Sequence, residues 1–398
     1  MATGSPNVAV SPRRLLVRGV NWLGDAVMST PALLRLREAL PQTRIALLTH
    51  AKLEGLWAGH PAVDEVITFA KGESVWSVGR RLGAGRFEAA LVLPNSFRSA
   101  LEVWLAGVPR RIGYATNGRG MLINERVGQR EEAVEMRKRS VAEVRALVAG
   151  PAGEETATDF ARRIARPTAH HVYQYLHLAA ALGASPVAQA PRLQVTADEQ
   201  ARVRATMLGQ AEEAGGRRLW LGLNPGAEYG AAKRWPAGNF IAAAREIQER
   251  TGCGWLIFGG PADRGLAEEI EAGLRIGGGL AGAVNVAGRT TLRELVVGLS
   301  LCRVVLTNDT GPMHVAAAVG TPVVVPFGST SPELTGPGLP GDGQHRLLKG
   351  EAACAPCFLR ECPIDFRCLK SVTVGRVVAA VLEIAGGRGA ETGKETGR

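Results

Sequence analysis

The chain has 398 residues, of which 46% are hydrophobic and 5% aromatic, with 50 glycines and 22 prolines. This length exceeds what one core usually organises and predicts two domains, while the composition excludes disordered and fibrous chains. The net charge of +10 favours an anionic partner, which is nucleic acid, a negatively charged membrane face or a phosphorylated substrate.

The first half of the chain predicts one α/β domain. After a loose tail at residues 1–12, an N-terminal domain is expected over 13–190. Its strand candidates, separated by turns and helices, lie at 15–20, 45–48, 66–69 and 89–93. This alternation is typical of a Rossmann-like, doubly wound parallel sheet. The glycine- and arginine-rich stretch 110–124 has little periodicity and predicts either a mobile anion-binding loop or a solvated loop.

The second half repeats the pattern. Strand candidates lie at 219–223, 254–258, 304–307 and 323–327. The expected segments are a linker and entry helix at 191–215, a second Rossmann-like domain at 216–350, a cysteine-rich loop at 351–370, a C-terminal helix at 371–386 and a disordered tail at 387–398. Two α/β halves that face one another leave a central cleft.

Location and partners follow from what the sequence lacks. No apolar run reaches the roughly 18 to 20 residues that span a bilayer, so we expect a cytoplasmic protein. The basic residues are scattered and no aromatic nucleic-acid signature accompanies them, so no nucleic-acid partner is expected.

Three polar segments of the second half fit phosphate or nucleotide binding. Asp309 and Thr310 follow a buried strand and precede a helix, whose N–H groups and positive dipole end can hold a phosphate; the alternative is a plain helix cap. Lys233 ends a glycine-containing loop and supplies charge for a diphosphate, unless this is an ordinary surface loop. Asp263 follows another strand and fits either a ribose hydroxyl or a helix cap.

Two groups of potential metal ligands are ambiguous. A run with three histidines at 170–177 is better explained by an amphipathic packing helix than by a metal site. Thiolates are zinc ligands, but the intervals between the four clustered cysteines differ from those of paired CxxC knuckles. Two interpretations therefore remain open: a structural zinc or redox-linked site, and buried thiols without a ligand. These cysteines are Cys354, Cys357, Cys362 and Cys368.

Four blocks together resemble a known family. They are Asn-Trp-Leu-Gly-Asp at 21–25, Leu-Pro-Asn-Ser-Phe-Arg-Ser-Ala at 93–100, the Pro-Gly-Ala-Glu and Ala-Lys-Arg-Trp-Pro segments of 225–236, and Thr-Asn-Asp-Thr-Gly with His-Val-Ala within 307–316. In this order they resemble the ADP-heptose–lipopolysaccharide heptosyltransferases of glycosyltransferase family 9, most closely the heptosyltransferase II type. The resemblance covers most of residues 14–385.

The resemblance implies a GT-B glycosyltransferase with an acceptor-binding N-terminal half and an ADP-heptose-binding C-terminal half. It implies inverting, metal-independent transfer of L-glycero-D-manno-heptose to the first heptose of the lipopolysaccharide inner core, without a required cofactor. By the same analogy Asp25 is the catalytic base and Lys233 contacts the diphosphate. The donor-binding turn is Asp309, Thr310 and Gly311, with His314 nearby.

The chemistry agrees with these residue types. Inversion needs the acceptor hydroxyl to lose its proton as the new bond forms, which a carboxylate such as Asp25 can accept; the competing interpretation is a helix cap. Lysine and backbone N–H groups can stabilise the departing ADP. Acceptor contacts are expected from the polar turn and basic loop of the first half, at Asn95, Ser96, Arg98 and Arg119.

Peripheral contact with the inner face of the cytoplasmic membrane is expected because the acceptor is an anionic lipid. The alternatives are a family 9 transferase with another acceptor or nucleotide sugar, a non-catalytic nucleotide-sugar-binding module, and a nucleic-acid binder with a zinc knuckle.

Overall fold

The computed structural model describes residues 11–150, 162–215, 218–275 and 282–387. Its contacts divide the chain into two compact units. The first contains residues up to Asn21, Ser29–Glu131 and Val172–Ala188; the second contains Trp22–Met28, Glu132–His171 and the chain from Gln189 onward. The tails predicted at 1–12 and 387–398 lie almost entirely outside the described residues.

The strands are named in chain order. They are β1 Arg14–Arg18, β2 Arg44–His50, β3 Glu65–Phe69, β4 Ala89–Val92, β5 Arg110–Tyr114, β6 Glu125–Val127, β7 Trp220–Asn224, β8 Gly254–Ile257, β9 Ala283–Asn285, β10 Val305–Thr307, β11 Val323–Phe327 and β12 Arg346–Lys349.

The helices are named in the same way. They are α1 Leu23–Met28, α2 Thr30–Ala39, α3 Val75–Gly83, α4 Phe97–Leu105, α5 Val141–Ala149, α6 Val172–Ala180, α7 Ala197–Gly215, α8 Ala237–Thr251, α9 Arg264–Arg275, α10 Leu292–Ser300, α11 Gly311–Ala318, α12 Pro332–Thr335, α13 Arg367–Lys370 and α14 Val374–Gly387.

Each unit contains a parallel sheet, six-stranded over the described residues. The first runs β3-β2-β1-β4-β5-β6 and the second β12-β11-β10-β7-β8-β9. The central strands are almost continuously buried, as in β4 and β7, because helices cover both faces of a doubly wound sheet. The prediction of two Rossmann-like parallel-sheet halves is confirmed. The cleft between them stays a prediction.

Two segments belong to the second unit, although their position in the chain predicts the first. The predicted N-terminal domain, 13–190, includes residues 22–28 and 132–171, which the structure groups with the second unit. The reason is packing: α1 lies against α11, and Val144 of α5 packs against Cys354 and Cys357. The pattern of apolar residues predicts that a helix is buried, but it does not indicate which element the helix packs against.

The prediction of a loop over the basic stretch 110–124 is wrong at the start of that stretch. Its first residues form β5, which pairs with β4 and β6, and Arg110 donates to Glu125 across the sheet at 2.6 Å. The Arg111 side chain donates to the backbone carbonyls of Leu122 and Val108. Hydrogen bonds to the neighbouring strands and to nearby backbone carbonyls therefore hold these arginines in a strand, although the segment has no apolar run.

The first unit contains a buried ion pair between the end of β1 and helix α4. Arg18 and Glu102 are 1% and 0% exposed, with Nε donating to the carboxylate at 2.9 Å. Arg98 donates to the other oxygen of Glu102 at 2.8 Å, and the Arg18 guanidinium lies 4.7 Å from the Phe69 ring centroid. Desolvation lowers the pKa of Arg18, and Glu102 opposes that shift.

No helix in the described ranges is both long and apolar enough to cross a bilayer.

Candidate functional site

The second unit brings together most of the predicted catalytic and donor-binding residues through a close contact between α1 and α11. A Cβ atom built on Gly24 would lie 2.8 Å from Cδ2 of His314, and one on Gly311 would lie 2.8 Å from Cβ of Leu23. Only glycine permits this approach of the two helix starts. The contact carries Asp25, in the first turn of α1, to the helix that follows the donor-binding turn.

Asp25 lies beside a histidine that sequence reasoning assigned to packing. Its Oδ1 is 3.7 Å from Nδ1 of His171, and the two side chains are 27% and 21% exposed. His170 and His171 precede α6 instead of lying on it. The sequence signal that could have separated them from the helix is Pro167, which opens a short 3₁₀ turn just before them.

His314 is buried near several ionisable side chains of the site. It is 5% exposed, and desolvation lowers its pKa to about 3; Asp309 opposes the shift, while His170, Lys233 and His171 add to it. Its imidazole is therefore neutral near pH 7, with one nitrogen that donates and one that accepts a hydrogen bond.

Lys233 and the donor-binding turn meet directly. Nζ of Lys233 lies 2.7 Å from Oδ2 of Asp309, with the side chains 15% and 5% exposed. The hydroxyl of Thr330 donates to the same carboxylate oxygen at 2.5 Å. Asp309 therefore holds the lysine at the start of α11 and does not act as a simple helix cap.

The loop that carries Lys233 is fixed to the turn by buried amides. Asn308 accepts from the backbone N–H of Trp235 at 2.9 Å and donates to the carbonyl of Pro225 at 2.7 Å. Asn224 donates to the hydroxyl of Thr307 at 3.1 Å. Because Asn308 and Asn224 are 0% and 2% exposed, these bonds form in a low-dielectric interior and define one arrangement of loop and turn.

The start of α11 has no side-chain cap from its N-cap residue. Thr310 occupies that position with extended backbone, and its side chain makes no capping hydrogen bond. Within the first turn of α11, Pro312 has no N–H and the N–H of Met313 donates to the carbonyl of Thr310 at 3.1 Å. The N–H groups of Thr310 and Gly311 stand at the helix start, where donors lack an acceptor one turn earlier in the helix. With the positive end of the helix dipole they can bind an anion.

Asp263 is placed as a turn-forming residue. Its Oδ2 accepts from the N–H of Gly260 at 3.0 Å, and its Oδ1 lies 3.6 Å from Arg234. A Cβ on Gly226 would lie 2.4 Å from Cγ of Asp263, so this carboxylate packs directly on the loop that leads to Lys233. The capping role is observed, and a ribose contact stays a prediction.

The predicted acceptor residues form a group of their own in the first unit. Arg119 is fully buried and donates to the carbonyls of Tyr114 and Pro94 and to the side chain of Asn95. Desolvation lowers its pKa to about 10. Ser96 caps α4 by accepting from the N–H of Ser99 at 3.2 Å. Arg119 therefore builds the turn, and an acceptor role for these residues stays a prediction.

The four clustered cysteines are free thiols, of which only Cys362 is partly exposed. Burial raises the pKa of Cys354, Cys357 and Cys368, the last to about 11, and neighbouring thiols raise these values further. Across the described ranges, no three His, Cys, Asp or Glu side chains are arranged to hold a metal ion, so of the two alternatives left open by the sequence the described residues form buried thiols and not a four-cysteine zinc site.

Comparisons with known proteins agree with this arrangement. The sequence profile of glycosyltransferase family 9 (heptosyltransferase) matches residues 75–161 and 152–366. Lipopolysaccharide heptosyltransferase 2 of Escherichia coli (strain K12) is 31% identical over 354 residues, which cover 85% of this chain and 92% of the relative. Lipooligosaccharide heptosyltransferase 2 of Haemophilus influenzae is 30% identical over 346 residues, covering 85% and 89%.

A solved structure is similar over nearly the whole chain. E. coli ADP-heptose LPS heptosyltransferase II superposes with a TM-score of 0.71 at 27% identity, covering 94% of this chain and 98% of that chain. The resemblance expected from the four sequence blocks is confirmed. This chain belongs to glycosyltransferase family 9, the heptosyltransferases.

Proposed function

We propose that the protein transfers L-glycero-D-manno-heptose from ADP-heptose to the first heptose of the lipopolysaccharide inner core, with inversion at the anomeric carbon. The observation that carries this proposal is the close contact between α1, which contains the carboxylate of Asp25, and α11, at whose start the Lys233–Asp309 pair lies. The names of the similar heptosyltransferase II proteins supply the donor and the class of acceptor.

In the proposed step, the acceptor hydroxyl attacks the anomeric carbon of the donor as the bond from that carbon to ADP breaks. Asp25 takes the hydroxyl proton, so the new glycosidic oxygen becomes neutral and ADP leaves with the bonding electron pair. His171, at 3.7 Å, is a positioning residue that limits the orientations of the Asp25 carboxylate. The helix-cap interpretation of Asp25 does not account for that histidine.

The departing ADP gains negative charge, which the start of α11 and Lys233 can stabilise. Lys233 provides a full positive charge, and the N–H groups of Thr310 and Gly311 with the helix dipole add partial charges. Neutral His314 can hydrogen-bond to the donor without adding charge. In this proposal these groups perform the work that a divalent cation performs in other transferases, so the reaction proceeds in EDTA.

The acceptor is proposed to approach as an anionic lipid at the inner face of the cytoplasmic membrane. The net charge of +10 supports this approach, because basic proteins are attracted to anionic membrane surfaces. Sedimentation with vesicles of anionic lipid should retain the protein at low salt and release it as salt screens the attraction. Equal sedimentation with neutral vesicles would remove the membrane part of the proposal.

The decisive experiment measures ADP release from ADP-heptose in EDTA with a lipid acceptor that ends in the first heptose. Asp25→Asn keeps the shape of the side chain and removes the base, so donor binding should persist while turnover falls by about 10²–10⁴. Asp198→Asn is the matched control, because Asp198 is an exposed acid in the first turn of α7. Its turnover should equal that of the wild type.

Other outcomes select the alternatives. Donor binding without transfer to this acceptor would point to a family 9 enzyme with another acceptor. Turnover of a different nucleotide sugar would change the donor. Binding without turnover of any acceptor, unchanged by Asp25→Asn, would leave a nucleotide-sugar-binding module.

A further inference from the structure

We infer that Lys138 and Arg360 form, with Lys233, a second phosphate subsite around the ring of Tyr229. The ligand class is a phosphate group, carried either by the nucleotide-sugar donor or by the acceptor. The inference deepens the proposed function and rests on it for the role of Lys233; the subsite itself stands on the side chains described next.

Three cations surround one aromatic ring. The Tyr229 centroid lies 4.9 Å from Nζ of Lys233, 5.2 Å from Cζ of Arg360 and 5.9 Å from Nζ of Lys138. These distances fall within the range of cation–π attraction, which is worth only about 0.5–1 kcal/mol at exposed sites. Attraction to one ring is therefore a weak offset for three positive charges that all lie within 6 Å of its centroid.

The three cations come from distant parts of the sequence, and backbone hydrogen bonds join the segments that carry them. The N–H of Arg139 donates to the carbonyl of Cys357 at 3.0 Å, which fixes the Lys138 segment to the cysteine-rich loop. The N–H of Ala232 donates to the carbonyl of Arg360 at 2.9 Å, which fixes the same loop to the Lys233 segment. The cluster is therefore built by the fold and is not a chance meeting of long side chains.

Tyr229 is held in place as well. Its hydroxyl donates to the carbonyl of Phe358 at 2.7 Å, so the ring cannot turn away from the cations. At Gly230, whose φ is +151°, a Cβ would lie 2.4 Å from the Arg360 carbonyl oxygen. Only glycine allows the loop to pass this close, and this approach keeps Arg360 beside the lysine loop.

The charges of the cluster are mostly unneutralised. Lys233 pairs with Asp309, but neither Lys138 nor Arg360 has a carboxylate partner among the residues that the structure describes, and both side chains are exposed. By contrast, the predicted acceptor residue Arg98 pairs with Glu102, and the neighbouring Arg110 pairs with Glu125. The cluster around Tyr229 is thus better able to take an added anion than those arginines.

A phosphate group fits this environment for two reasons. Its negative charge relieves the repulsion among the three cations, and its several oxygens can accept from a guanidinium and an ammonium at once. Because Lys233 belongs to both groups, the second subsite adjoins the proposed diphosphate position. It can therefore hold either the far end of the donor diphosphate or a phosphate on the acceptor sugar.

The test uses the full-length variants Lys138→Ala, Arg360→Ala and their combination. Exposed cations elsewhere, Lys71→Ala and Arg376→Ala, are the matched controls. Binding of ADP and of inorganic pyrophosphate is measured by calorimetry, independently of any transfer. KM is measured with lipid acceptor before and after phosphatase treatment. Arg360→Lys, which keeps the charge, should retain much of the wild-type behaviour.

The two possible sources of the phosphate, donor and acceptor, give different results. For a donor phosphate, the double variant weakens ADP and pyrophosphate binding about tenfold or more, equivalent to at least about 1.4 kcal/mol. For an acceptor phosphate, KM rises about tenfold for the untreated acceptor only, and the nucleotide affinities do not change. Both effects should shrink as salt is raised.

The inference is overturned if the double variant matches the two controls in ADP binding, pyrophosphate binding and both acceptor KM values. If the protein transfers no heptose at all, the proposed function fails, and the subsite is then decided by binding alone: ADP and pyrophosphate affinities decide the donor arm, and calorimetric binding of the untreated and phosphatase-treated acceptor decides the acceptor arm. Thermal unfolding of every variant verifies that the exposed substitutions leave the fold intact.

Discussion

Lys233 Nζ lies 2.7 Å from Asp309 Oδ2, and this ion pair joins the lysine-bearing loop to the start of α11. The lysine is therefore held at the proposed diphosphate position by a carboxylate of the protein itself. Such preorganisation lowers the reorganisation needed when charge develops on the leaving group.

Replacing Lys233 by Met should lower kcat by about 10²–10³, because one preorganised positive charge is lost from the leaving-group side. The unfolding midpoint should fall as well, since Asp309 then keeps only the Thr330 hydroxyl. Steady-state kinetics and thermal unfolding measure the two effects. Arg234→Ala is the control, because Arg234 is adjacent in sequence and its partly exposed side chain pairs with Asp263 and donates to the Ala227 carbonyl instead of Asp309. An unchanged kcat in Lys233→Met would contradict the role.

Replacing Gly24 by Ala should separate α1 from α11, because the new Cβ would fall 2.8 Å from the His314 ring. Small displacements of catalytic groups cost up to about 10²-fold in rate, so we expect at least a tenfold loss of kcat. Gly265→Ala is the matched control, since a Cβ there meets no atom within 4 Å on helix α9. Equal kcat values for the two variants would show that the close contact does not position Asp25.

Replacing Glu102 by Ala should destabilise the first unit strongly. It leaves the Arg18 guanidinium, 1% exposed, without its carboxylate, and removes the partner of Arg98. Breaking a buried pair in this way typically costs about 3–5 kcal/mol. Urea unfolding measures the loss, and Glu88→Ala, which breaks the exposed pair with Arg13, serves as the reference with a small expected effect. Similar midpoints for both variants would count against the buried pair.

Acid should destabilise the protein below pH 6.5. Burial lowers the pKa of His60 and His170 to about 4 and that of His314 to about 3, against 6.5 in the unfolded chain. The unfolded state therefore binds more protons between these values, so stability is present above pH 6.5 and is lost as the pH falls.

Denaturant unfolding at pH 7.5, 6 and 5 measures this dependence. His60→Gln removes one contributing group in the first unit and should flatten the slope; for a shift from 6.5 to about 4 the upper limit is about 3 kcal/mol. A slope that is identical in His60→Gln and the wild type would refute the assignment.

Strand positions were predictable where apolar residues run together. The ends of the central strands β1, β2, β4, β7 and β11 lie within two residues of the expected ranges, because a parallel sheet covered on both faces needs continuous apolar segments. β5, β6, β9 and β12 escaped prediction because charged, polar or small residues occupy many of their positions. In β5, pairing with neighbours and local carbonyls replaces the missing hydrophobic signal.

The residues of the candidate site were also only partly predictable from the sequence. Strand-to-helix turns with Asp, Thr and Lys pointed to Asp309, Thr310 and Lys233, and the structure brings the side chains of Asp309 and Lys233 together. Arg119 was expected to face an acceptor, yet its guanidinium is bonded to carbonyls within its own unit. A basic residue in a glycine-rich loop looks the same in sequence whether its partner is a ligand or a backbone carbonyl.

The sequence by itself determined the α/β class, the repeated Rossmann-like pattern, the family and the residue types available for an inverting transfer, because these follow from local periodicity and short motifs. Only the tertiary structure decided that α1 packs on α11, that His171 stands beside Asp25, and that Lys138 and Arg360 gather around Tyr229. The physical reason is sequence separation. Residues more than a hundred positions apart meet only after the chain has folded, and no local pattern records which surfaces will touch.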